Sequence, residues 1–249
     1  KAAQDAISKE RDGIMSRGTF DMAHPIEMDE LYKQRAVKEA MIGRVFCILG
    51  KRNCEMAEDA QSWKARAVFQ GNNIRTKTGV DAAQLFQEVA NAPASFCASR
   101  CTLAAAALKG YDVTFRDALQ AFLQSRIDGP GRVPTYAELP KSWWPDSWFH
   151  DGAKRTQPKY IRPLVLMLLC LYGHPESGAL WGKDLEKYLG KLGFTPVADW
   201  PRVFVHSDGS IVVVYVDDIM LAADKMHQDL HWRAMEKVVE FKETEQALD

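Results

Sequence analysis

The sequence predicts an α+β fold with an antiparallel sheet. Three observations carry that expectation. Strand-like and helix-like segments alternate, neighbouring strands near the C-terminus are joined by tight turns, and no internal repeat or low-complexity tract breaks the order. With 249 residues, the chain can bury a substantial core, as one large domain or two small ones.

The elements follow in order. Lys1 to Arg17 is polar and is expected to fray. Met41 to Asn53 reads as a strand with a basic end, and Trp63 to Asn73 as a second, closed by Gly71 and two asparagines. Pro93 to Leu108 has helix character, with Pro at its start, four consecutive alanines and Gly110 as its stop. Tyr111 to Phe115 alternates like a half-buried strand.

Asp128 to Pro163 holds six prolines and three tryptophans, which suits an irregular excursion braced by aromatics. Ser177 to Leu192 predicts a helix with Trp181, Leu185, Tyr188 and Leu192 on one face and Gly193 ending it. Val203 to Ala223 reads as strand, Asp-Gly turn, strand, Asp-Asp, strand. Asp224 to Glu243 predicts a final amphipathic helix.

Bulk properties narrow the partners. A net charge of −1 gives no global attraction to nucleic acid or anionic membrane, so such binding must rest on local patches. The N-terminus is charged and lacks an apolar signal core, and the longest apolar run, Leu164 to Leu171, is far short of the roughly 20 residues that span a bilayer. No membrane partner is expected. Five cysteines without a CxxC pair argue against a disulfide framework or zinc ribbon and for a reducing compartment. Cys97 and Cys101, four apart, are expected as small buried side chains. A start without Met and a charged, helix-like end suggest a piece of something longer.

The chemistry gathers in IVVVYVDDIMLAA, Ile211 to Ala223, where Asp217 and Asp218 interrupt an apolar, β-branched run. Burying a carboxylate costs several kcal/mol and adjacent ones repel, so a hairpin tip in water is the favourable place for them. A hard divalent cation would relieve the repulsion, and a second would need one more carboxylate nearby.

Tyr215-Val216-Asp217-Asp218 in a hydrophobic hairpin resembles the Tyr-x-Asp-Asp motif of reverse transcriptases, and further motifs resemble the Ty1/copia retrotransposon type in particular. DALQAFL, Asp117 to Leu123, has the family's Asp followed after three residues by Ala-Phe-Leu. KARAVFQG from Lys64 resembles its Lys-Ala-Arg-Leu-Val and Gly segment, and LYGHPESGALW, Leu171 to Trp181, its Leu-Tyr-Gly before a helix with an early Trp. Leu192, Gly193, Phe194, Asp199 and Phe204 follow its Leu-Gly-Phe, Asp, Phe pattern. The chain departs where the family has Lys-Gln-Ala-Pro, placing Glu176 where a Gln is usual, and again at Trp200 to Arg202.

The resemblance implies a right-hand polymerase fold without a thumb, with fingers over 18–92 and 125–177 and a palm over 93–124 and 178–249, its antiparallel sheet flanked by helices. It implies RNA-directed DNA polymerisation, with Asp117, Asp217 and Asp218 as catalytic residues and ligands of two Mg²⁺ ions, for which Mn²⁺ could substitute. Lys64 and Arg66, two apart on a strand and so on one face, would contact the dNTP triphosphate. Phe122 would be a steric gate against the ribose 2′-hydroxyl, and Tyr215 would pack near the primer end. The implied partners are an RNA or DNA template-primer, dNTPs and the rest of a polyprotein carrying thumb, RNase H, integrase and protease. The implied location is intracellular, in a cytoplasmic virus-like particle or the nucleus.

Other residues weigh less. Asp112 rivals Asp117 but lacks the following Ala-Phe-Leu. Arg75 and Lys77 read as a solvated basic face, while Lys154, Arg155, Lys159 and Arg162 form a second basic cluster that could follow a nucleic-acid backbone or serve solubility alone. His227 and His231 have the i,i+4 spacing of a helical metal pair, but the sequence offers no third ligand. Two alternatives stand beside the polymerase: a degenerate, inactive copy that retains the fold, and a two-metal nuclease, for which the KAR strand and Phe122 have no use.

Overall fold

The computed structural model describes residues 1–34, 39–76 and 94–243. It is an α+β structure with two sheets and five α-helices among the described residues. No helix among them is long and apolar enough to cross a membrane. The chain divides into two compact units, one of Lys1–Val89 with Arg126–Ser177, the other of Ala90–Ser125 with Gly178–Asp249.

The first unit opens with helix α1, Ala2–Ser16, where fraying was expected. Its anchors explain the difference. Ile14 is fully buried, and the Glu10 carboxylate accepts the Ala67 N–H at 3.0 Å. Strands β1 (Ile26–Glu27), β2 (Met41–Arg52), β3 (Ser62–Phe69), β4 (Arg75–Thr76), β6 (Thr135–Glu138) and β7 (Pro163–Leu166) form its sheet, with the short helix α2 at Met28–Lys33. The order is β1-β7-β6-β2-β3, with β4 also on β2, and β2 and β6 pair in parallel.

Strand β6 lies within the Pro- and Trp-rich tract, which is otherwise short 3₁₀ turns packed on buried Trp143, Trp144 and Trp148. Gly173 of the Leu-Tyr-Gly motif sits at φ +87°, and a Cβ there would stand 2.2 Å from the Phe69 carbonyl oxygen. Only glycine allows that approach.

The second unit contains α3 (Phe96–Lys109), β5 (Asp112–Asp117), α4 (Ser177–Lys191), β8 (Thr195–Pro196), β9 (Val203–Val205), β10 (Ile211–Tyr215), β11 (Asp218–Ala223) and α5 (Lys225–Met235). The sheet order is β5-β11-β10-β9-β8, with every neighbouring pair antiparallel.

Both faces of this sheet are covered. Val212, Val214, Ile219 and Leu221 pack with Trp181, Leu185 and Leu189 of α4 and Trp232 and Met235 of α5. Val203, Val213 and Met220 pack on the other side with Ala94 and Ala98. That accounts for the nearly continuous apolar run, since a strand buried on both faces has no polar alternation.

Two expectations change here. Helix α3 turns Ala98, Thr102 and Ala106 inward, so Cys97 and Cys101 are exposed, not buried. Helix α5 stops at Met235, and the chain then turns so that Phe241 bridges Ala118 beside β5. Lys77 lies outside the described residues.

Candidate active site

The β10–β11 hairpin has a two-residue turn, since Tyr215 pairs with Asp218 and only Val216 and Asp217 lie between them. Val216 has φ +59°, and Asp217 is not in the left-handed region. Positive φ at the first central position alone is the type II′ pattern, where glycine is customary. A β-branched residue in that conformation stores strain. Two contacts hold the turn and a third fixes the strand that enters it. The Trp181 indole N–H donates to the Val216 carbonyl at 2.7 Å, Ala118 N–H donates to the Asp217 carbonyl at 2.8 Å, and Val214 N–H donates to the Arg202 carbonyl at 2.9 Å.

On the next strand, Asp117 is the register partner of Asp218. Residues directly opposite in an antiparallel pair have Cβ atoms roughly 4.5–5.5 Å apart and point to one face. Tyr215, Asp218 and Asp117 thus share the face on which Val213 and Met220 are buried, and Asp217 stands at the adjoining turn. Residues 100 positions apart in sequence meet at one end of the sheet.

The electrostatics are those of a crowded acid cluster. Burial, then the charges of Asp217 and Asp117, push the Asp218 carboxyl above its ordinary value, while Lys242 opposes the rise. Lys242 also ion-pairs with Asp117 Oδ2, and its backbone N–H donates to the Asp117 carbonyl at 2.9 Å. Asp117 Oδ1 is buried without a hydrogen-bond partner among the described residues. A buried carboxylate oxygen without a donor is costly, and a cation would satisfy it. The three-carboxylate donor set also suits a hard divalent ion. As arranged, the three acids do not each bring an oxygen within 4.8 Å of the other two; among the described residues that convergence belongs to His206, Asp208 and His231.

The chain matches no protein-family model and no curated protein. The geometry therefore stands on its own.

Phe122, in the 3₁₀ turn after β5, lines a cavity of about 50 Å³ with Gly178, Trp181, Gly182 and Val216. Tyr215 is half exposed, its ring 6.4 Å from that of Phe96. Lys64 and Arg66 belong to the first unit, on the face of β3 opposite buried Ala65, Ala67 and Phe69, with Arg66 over the Tyr172 ring at 5.5 Å. Arg75 lines a cavity of about 370 Å³ there, with Arg44, Glu138 and Arg162.

The second basic cluster is largely committed to holding its own loop. Arg155 donates to the Trp144 carbonyl at 2.7 Å, Lys159 to the Ser147 carbonyl at 2.8 Å, and Arg162 to Glu138 at 2.9 Å. Sequence reasoning missed Lys242, because a helix through Glu243 would carry it away from Asp117. It also missed His206 and Asp208, since an Asp-Gly turn signals a hairpin and nothing more.

Proposed function

We propose that this chain is the RNA-directed DNA polymerase domain of a Ty1/copia-type retrotransposon, transferring nucleotides from dNTPs to a primer 3′-hydroxyl. The observation that carries the reading is the register pairing of Asp117 with Asp218 beside Asp217, which gathers three acids from distant sequence at a strained hairpin turn. The sequence motifs supply the chemistry's name, and this gathering is what a two-metal nucleotidyl transfer requires of the protein.

Asp117, Asp217 and Asp218 would hold Mg²⁺, which when bound makes the 3′-hydroxyl more acidic and neutralises triphosphate charge. The chain's own residues then divide the work. The Trp181–Val216 hydrogen bond fixes the turn that presents Asp217 and Asp218. Phe122 bounds the small cavity beside that turn and would exclude a sugar 2′-hydroxyl by contact. Half-exposed Tyr215, on the same face as Asp218, would support the primer end. Lys242 shields Asp117 and would yield that oxygen on metal binding. The triphosphate role of Lys64 and Arg66 rests on the sequence resemblance.

Primer extension on poly(rA) with oligo(dT) and Mg²⁺ tests the reading. Synthesis abolished by Asp217→Asn supports it. A folded wild-type chain that neither extends the primer nor binds Mg²⁺ favours the degenerate copy, to which the Lys242–Asp117 ion pair already lends an observation. Template incision without synthesis favours the nuclease.

A further inference from the structure

At the other end of β10, away from the acids, a second polar cluster is built from the β9–β10 hairpin and helix α5. His206 follows β9, Asp208 stands in the turn, and His227 and His231 are one turn apart on α5. One ligand atom from each of His206, Asp208 and His231 lies within 4.8 Å of the other two. Asp208 Oδ2 is 2.9 Å from His206 Nδ1 and 2.9 Å from His231 Nε2. We propose that His206, Asp208 and His231 form a binding site for a single zinc-type transition ion, one that clamps helix α5 to the β9–β10 hairpin.

The donor set decides the class of ion. Two imidazoles and one carboxylate suit Zn²⁺ and its borderline neighbours, whereas Mg²⁺ selects oxygen alone. With metal–ligand distances of about 2.0–2.2 Å, tetrahedral ligands sit roughly 3.3 Å apart, so the two 2.9 Å spacings from Asp208 need open by only a few tenths of an ångström. The pattern His-x-Asp followed by a helical His fits, and the hairpin supplies the third ligand that the His227/His231 pair lacks in sequence.

The surroundings are those of a braced site. His231 is 4% exposed, and Phe194 walls both imidazoles with ring centroids 5.1 and 4.8 Å away. Gly193 backs the His206 ring closely enough that a Cβ would stand 2.8 Å from Nε2. The Ser210 N–H donates to Asp208 Oδ1 at 2.8 Å, while Oδ2 faces the two imidazoles. His227 stands beside the cluster, its Nε2 3.7 Å from Asp208 Oδ2 and its Nδ1 held by Asp224 at 2.6 Å. A ligand imidazole steadied by an outer carboxylate is the usual way such rings are oriented.

The test is titration of the chelator-treated full chain with ZnCl₂ by calorimetry, with CoCl₂ as a spectroscopic substitute. One Zn²⁺ per chain is expected, bound at least about 100-fold more tightly than Mg²⁺ at this site, with a tetrahedral Co²⁺ spectrum. His206→Gln and Asp208→Asn, both at partly exposed positions and checked for folding by circular dichroism, should each weaken Zn²⁺ at least about tenfold. Asp217→Asn should leave it unchanged. Three results overturn the proposal: no Zn²⁺ bound by the folded wild type, affinity undiminished in both folded hairpin variants, or loss confined to Asp217→Asn. In the first case, His206, Asp208 and His231 are a hydrogen-bonded clasp and nothing more.

Discussion

Asp117, the last residue of β5, lies directly across the ladder from Asp218, the first residue of β11, and Lys242 reaches the same Asp117 carboxylate from the C-terminal segment. Burial and two neighbouring acids raise the Asp218 carboxyl. A carboxyl whose proton affinity is higher folded than unfolded destabilises the fold at neutral pH, and that cost vanishes as pH falls through the raised value. Asp218→Asn should therefore raise the melting temperature of the metal-free chain at pH 7 and leave it nearly unchanged near pH 3. Primer extension should fall by more than the roughly 10–100-fold typical of outer-shell changes. Equal melting shifts at both pH values would contradict the electrostatic account.

Trp181→Phe keeps most of a buried ring and deletes one donor. The Val216 carbonyl then loses its 2.7 Å partner. The expected cost is about 1–3 kcal/mol in denaturant unfolding, with slower primer extension from a looser turn. Unchanged stability would mean that water replaces the indole N–H.

Phe122→Ala opens the cavity that the ring shares with Trp181 and Val216. Ribonucleotide incorporation relative to deoxyribonucleotide should rise by about tenfold or more, the scale on which apolar pockets discriminate. Competition between rNTP and dNTP in single-nucleotide extension measures it, and an unaltered ratio removes the gate.

His174 supplies a pH dependence in the first unit. Its Nδ1 accepts the Glu176 N–H at 3.2 Å, which puts the ring proton on Nε2, 3.3 Å from Thr135 Oγ1. Burial lowers its pKa to about 4 from an ordinary 6.5. The unfolded chain thus takes up a proton first as pH falls, and stability complete above about 6.5 is lost progressively down to about 4. The loss is about 3 kcal/mol, read from denaturant midpoints across that range, and His174→Gln should flatten it.

Much of this was legible where burial and periodicity agree. The β10–β11 hairpin was readable because an acid pair cannot sit inside a two-faced apolar strand, and α4 because Trp181, Leu185 and Tyr188 recur at helical spacing. Failures came where those signals are weak. Four alanines gave α3 no visible face, so the exposure of Cys97 and Cys101 could not be told from the sequence. α1 looks polar, yet is pinned by Ile14 and one reach from Glu10 into a strand edge. Asp208 meets His231 across 23 residues, and Lys242 meets Asp117 across 125, both through turns that local pattern does not foretell.

The double-sided burial of β10 and β11 has a consequence for how accurately the acids are aimed. Where only one side of a sheet is greasy, sliding a strand by one place exposes oil to water and is strongly penalised. Here a slide would merely trade one dry layer for another, with Val213 and Val214 exchanging roles. Alignment must then be enforced by the shortness of the link at Val216 and Asp217, which leaves no slack. Inserting a single residue there would move Tyr215 off Asp218 while leaving the hydrophobic interior almost intact.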